Sequence, residues 1–135
     1  MPKEYREERL VRVLQEQLHA NIQGVQETVI VTNDGLVVAA YPGATDVPGA
    51  EADAETSHWV AALAAEIVAQ SRRAFGRLSR GAVSRILIEG GGGSMIVVPA
   101  GEQASLAVMV DTHTKLGIAM FQIVRVAKQI GDLLE

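Results

Sequence analysis

No cysteine occurs among the 135 residues, which excludes disulfides, thiolate metal ligands and thiol nucleophiles together. That absence suits a reducing cytosol, and a domain of this length buries a sufficient core without covalent or metal staples. Aromatic residues make up 4% of the chain, and 12 basic against 16 acidic residues leave a net charge of -4. Stacking platforms and a net basic surface are both missing, so nucleic acid is not an expected partner. No apolar run approaches the roughly 18 residues that cross a bilayer. The opening MPKEYREERL is too charged for a signal peptide. The expectation is one soluble, cytoplasmic domain over residues 1–135 without membrane insertion. Its hydrophobic fraction of 48% includes apolar surface available for burial on association.

What is present is strongly patterned. Leu10, Val13, Leu14, Leu18 and Ile22 recur at three- and four-residue steps and predict a helix over 6–22 with one buried face, ended near Gly24. Val29–Val31 and Leu36–Val38 flank Asn33-Asp34-Gly35, a sequence suited to a tight hairpin turn. Both strands are apolar on both faces, so each face of the sheet requires a cover. Residues 42–54 hold two prolines, two glycines and three acids without periodicity and read as an exposed connection.

A second helix is predicted from about residue 55 to 80, about 36 Å long for about 24 residues at about 1.5 Å per residue. Val60, Leu63, Ala64, Ile67, Ser71, Ala74 and Leu78 are assigned to its sheet side, and Trp59, Ala62, Glu66, Gln70, Arg73 and Arg77 to an outer stripe. Ala61, Ala62, Ala64, Ala65 and Ala69 keep it thin, through helix propensity or to admit a neighbouring backbone. Ser84–Glu89, Ser94–Val98 and Ala104–Val110 follow as three antiparallel strands, because their connections are too short for crossovers. Thr114 is placed as the cap of a last helix with an apolar stripe from Leu116 to Leu134. The predicted order is αββαβββα, an α/β layered fold: a five-stranded antiparallel sheet with helices on both faces.

Gly24-Val25, Val29–Val31, Asp34-Gly35, Leu36–Val38 and Ala61–Ala65, followed by Ile86–Glu89, Ile96–Pro99 with Gly101, Leu106 and Leu116-Gly117, form an ordered set spread over nearly the whole chain. In these the chain resembles the roadblock/dynein light chain 7-like domain family, whose architecture is profilin-like or longin-like. The resemblance implies a non-enzymatic homodimeric adaptor that binds a small Ras-like GTPase, with other roadblock-like domains as further partners. It implies dimerisation through the central helix and third strand, which assigns Ala62, Ala65, Ala69, Ile86 and Ile88 to that contact. Trp59, Glu66, Gln70, Arg73 and Arg77 on the outer stripe are then the partner-binding candidates. Where many members carry a basic residue shortly after the Leu-Gly pair, this chain has Ile118, Ala119 and Met120.

No catalytic, cofactor or metal residues are assigned. Gly90–Gly93 lacks the Lys and Ser/Thr of a phosphate loop and leads into a strand instead of a helix, so it reads as a hairpin turn. His19, His58 and His113 have no second ligand at metal spacing, and neither Ser57-His58 nor Asp111–His113 sits in a nucleophile elbow. For Arg72, Arg73 and Arg77 a solvated helical face and an arginine finger both stand. For Trp59 an interface anchor and ordinary packing both stand. The alternative function is a profilin-like or PAS-like small-molecule sensor, which requires a cavity between sheet and helix.

Overall fold

The first hairpin closes through Thr32, whose backbone N–H donates to the Leu36 carbonyl at 2.9 Å and whose hydroxyl accepts from the Leu36 N–H at 3.1 Å. Gly35 adopts φ 89° in this turn, and a bulge between Ile30 and Val31 shifts the register beyond it. The computed structural model describes the backbone of residues 3–42 and 51–135 and the side chains of residues 6–42 and 56–135. Strands β1 (Val25–Thr32), β2 (Val37–Tyr41), β3 (Ile86–Gly90), β4 (Gly93–Ala100) and β5 (Ala104–Val110) form one antiparallel sheet in the order β2-β1-β5-β4-β3. Helices α1 (Lys3–Val13), α2 (Glu51–Arg77) and α3 (Leu116–Leu134) complete the αββαβββα order that the apolar patterns predict. Of the connection read at 42–54, residues 51–54 belong to α2 and 43–50 lie outside the described residues.

Strand alternation divides the core in two. One face carries Ile30, Ile96, Leu106 and Val108 against α1, the helical turns that continue it and α3, through Leu10, Leu14, Leu18, Ile123 and Ile130. The other carries Val29, Val31, Val97 and Ala107 against Val60, Ala61, Ala64 and Val68 of α2. Large aliphatics fill the first layer and small ones the second, so α2 sits close to its strands. Gly131 permits a similar approach on the first face, since a Cβ there would stand 2.7 Å from the Gly101 nitrogen.

Three local expectations are corrected. The first helix is not a uniform α-helix: after Val13 it widens into a π-helical segment, Leu14–His19, with the Ala20 N–H donating to the Gln15 carbonyl at 3.0 Å. The wider turn keeps Leu14 and Leu18, four residues apart, over the same core. Thr114 does not cap α3, whose N-cap position is Lys115 without a side-chain bond. The Thr114 hydroxyl instead ties the end of β5 to the start of β1, bonded to the Gln23 carbonyl and the Asp111 carboxylate, each at 3.1 Å. Finally, Leu63, Ala74 and Leu78 do not face the sheet. The buried side of α2 is Ser57, Val60, Ala61, Ala64 and Val68, while Leu63 and Leu78 remain 47% and 64% exposed.

Candidate functional site

The geometry of α2 defines the candidate site. Near its start the Ser57 hydroxyl donates to the Glu27 carboxylate at 2.6 Å, both side chains being buried, which fixes the helix to the beginning of β1. From there α2 runs over β1, β5 and β2. Ala62 and Ala65 approach the hairpin at Gly35, and Ala65, Ala69 and Arg72 line a small cleft with Thr32, Asn33 and Ser105. The alanines therefore seat the helix on its own sheet. Ala62 is exposed, while Ala65 and Ala69 are half-buried on the hairpin side.

At 3.6 residues per turn, the flank opposite those alanines carries Leu63, Ile67, Ala74 and Leu78 and turns toward β4 and β3. Below it the sheet is thinly covered. Among the described residues β3 pairs with β4 alone and forms one edge of the sheet, β2 forming the other; on this face Ile86 and Met95 are half-buried and Ile88 is 44% exposed. An apolar helix flank thus adjoins an apolar strand edge, a combination that a lone copy leaves open to pairing. Ile86 and Ile88 fall where the strand pattern placed them, but not beside Ala62, Ala65 and Ala69, which lie on the other flank. The flank residues Leu63 and Ile67 escaped the sequence reading, which spent them on the core.

Trp59, Glu66, Gln70, Arg73 and Arg77 are all exposed and share the ridge of α2 farthest from the sheet. The ridge spans about 27 Å from Trp59 to Arg77 at about 1.5 Å per residue. It presents one large aromatic, one acid, one amide and two cations, an assortment that suits a protein surface better than a small molecule.

Several other polar groups are engaged in structure. The Asp111 carboxylate accepts from the His113 N–H at 2.8 Å, which, together with the Thr114 hydroxyl bond and despite an opposing desolvation effect, holds it below the usual carboxylate range. Thr28 donates its hydroxyl to the Tyr41 carbonyl at 3.1 Å and accepts from His19 Nε2 at 3.0 Å, while the His19 and Tyr41 rings meet edge-on at 4.7 Å. Burial pushes the His19 imidazole below its ordinary value, against an opposing bond to the Tyr41 backbone. Gly90 and Gly93 pair across the β3–β4 turn. Among the described residues no group of three or more His, Asp or Glu side chains could hold a metal ion. A cleft of about 550 Å³ lies at the rim of the sheet, where Arg6 of α1 and Leu134 of α3 face Val38, Asp34 and Glu102 of the strands and turns. Among the described residues no helix is long and apolar enough to cross a membrane.

A five-stranded antiparallel sheet clasped by one long helix on one face and two on the other defines the class of small layered α/β domains. The Roadblock/LC7 domain matches the chain over residues 13–110, and the protein belongs to that family. The protein MJ1340 of Methanocaldococcus jannaschii is 31% identical over 109 residues, covering 80% of this chain and 86% of that protein. Among solved structures, a Roadblock/LC7 domain from Streptomyces avermitilis superposes with a TM-score of 0.73 at 20% identity, over 96% of this chain and 95% of that one. The gliding protein MglB of Thermus thermophilus superposes with a TM-score of 0.78 at 20% identity, over 95% and 90% of the two chains.

Proposed function

We propose that this protein is a non-enzymatic, cytoplasmic signalling adaptor that forms a homodimer and binds a small Ras-like GTPase. Membership of the Roadblock/LC7 family supports a role in small-GTPase regulation. What carries the finer reading is the pairing of an incompletely covered apolar flank on α2, exposed Leu63 and half-buried Ile67, with the β3 edge at half-buried Ile86 and exposed Ile88. A second copy related by a two-fold axis meets the same surface with itself, joining edge to edge and flank to flank. The α2 ridge of Trp59, Glu66, Gln70, Arg73 and Arg77 remains outward in such a dimer and is the face offered to the GTPase. A related roadblock domain satisfies the same edge as a heterodimer.

The test is a pull-down with the small GTPase encoded nearest this gene, loaded in turn with GDP and a GTP analogue. Glu66→Arg and Arg73→Glu change exposed ridge residues without touching the core. Reversing a rim charge in a complementary interface weakens binding by about tenfold or more. Unchanged binding in both variants moves the GTPase site off the ridge; no binding by the parent protein to either nucleotide state refutes the GTPase assignment.

A further inference from the structure

The last two turns of α2 contribute nothing to the core. Beyond Val68 no residue of the helix is buried, and residues 72–82 are exposed without interruption. Phe75 lies on the same side of the helix as Ala61, Ala64 and Val68, but the sheet has ended beneath it and the ring is 41% exposed. A cleft of about 420 Å³ separates this overhang from the β4–β5 turn, between Arg72 and Gly76 above and Pro99, Gly101 and Glu102 below. The tip is nevertheless well formed. The Leu78 N–H donates to the Ala74 carbonyl at 3.0 Å and the Arg80 N–H to the Phe75 carbonyl at 2.9 Å, with Ser79 and Gly81 at positive φ closing the helix.

Its charge is distinctive. Between Ile67 and Ile88 the chain carries Arg72, Arg73, Arg77, Arg80 and Arg85 and no acidic residue, in a protein of net charge -4. All five arginines are exposed, and Glu102 is the acid that lines the far wall of the cleft. Arg73 and Arg77 lie together on the outer ridge while Arg72 points to the hairpin side, so the three do not converge on a single anion as a phosphate pocket requires. Diverging cations around exposed Phe75 and Leu78 match a planar field of negative charge whose outer layer accepts apolar side chains.

We propose that the overhanging tip of α2 and the segment leading from it into β3, with their five arginines, Phe75 and Leu78, form a peripheral docking surface for an anionic lipid bilayer. Arginine attraction brings the tip to the headgroups, and Phe75 and Leu78 enter the headgroup layer without any segment crossing it. The proposal does not depend on the GTPase assignment, because Arg80, Arg85, Phe75 and Leu78 lie off the ridge offered to that partner.

The test is co-sedimentation of the full chain with phosphatidylcholine vesicles, with and without about one third phosphatidylglycerol. The protein is expected to pellet with the anionic vesicles only and to be released as salt rises from about 0.1 M to about 0.5 M. Arg80→Ala and Arg85→Ala should each lower the partition coefficient about fivefold. Phe75→Ser should lower it further, and circular dichroism should show all three variants folded. Failure to bind anionic vesicles, equal binding to neutral ones, or binding unaffected by all three substitutions overturns the proposal. Capture by immobilised polyglutamate without vesicle binding overturns it as well and makes the tip a site for an acidic protein segment.

Discussion

Replacing Ile88 by serine probes the edge-to-edge contact, because its side chain is divided between what the monomer buries and what only a partner can bury. Fully burying an isoleucine is worth about 1.5–3 kcal/mol. The 44% still exposed therefore represents about 0.7–1.3 kcal/mol of unrealised burial per copy. A two-fold interface uses the residue twice, so the substitution should remove about 2 kcal/mol from association and raise the dimer dissociation constant about thirtyfold. The part already packed beside Met95 costs the monomer about 1 kcal/mol, too little to unfold a domain of ordinary stability. Sedimentation velocity over a concentration series reads both states directly. Leu36→Ser is the control: Leu36 is 67% exposed beside β2, at the opposite edge of the sheet, and should leave the constant unchanged. A parent protein that is monomeric at all concentrations refutes the reasoning, as does an Ile88→Ser variant that dimerises like the parent.

Two further predictions concern the scaffold. Ser57→Ala removes a hydrogen bond from the buried Glu27 carboxylate and should lower unfolding free energy by about 1–3 kcal/mol in urea titrations. A loss under about 0.5 kcal/mol would show that Glu27 is satisfied without Ser57. For His19, burial keeps the native imidazole below the ordinary value of 6.5, so the unfolded chain binds the proton more readily. Its contribution to stability is complete above pH 6.5 and is lost as pH falls from there through the lower native value. His19→Gln should flatten the fall in urea midpoint between about pH 7 and about pH 5, and an unaltered slope would assign that fall to other groups.

The hairpin, the five strands and the three helices were legible because each depends on local chemistry. Asn33-Asp34-Gly35 can turn, Ile30 and Val31 must point to opposite faces, and short connections force antiparallel neighbours. The candidate site was legible in part. The ridge from Trp59 to Arg77 emerges as the exposed stripe that polar periodicity predicted, and Ile86 and Ile88 lie on the free edge strand. The rotational setting of α2 was misread. Adjacent apolar pairs Leu63-Ala64 and Ile67-Val68 satisfy two helix phases about 100° apart, and hydrophobicity alone favours the larger residues as core. A buried Ser57 marks the correct phase, but only its hydrogen bond to Glu27, thirty positions away, reveals that.

By itself the sequence determined the order of elements, the two-sided sheet and the positions of the turns, since all of these follow from backbone chemistry and periodicity within short stretches. The tertiary structure decided which flank of α2 stays open and where the helix overruns its sheet. Those outcomes depend on distance between layers: over Val29, Val31, Val97 and Ala107 there is room for Ala61, Ala64 and Val68 but not for a row of larger side chains, so Leu63 turns outward and Ile67 stays half-buried on the flank toward β3.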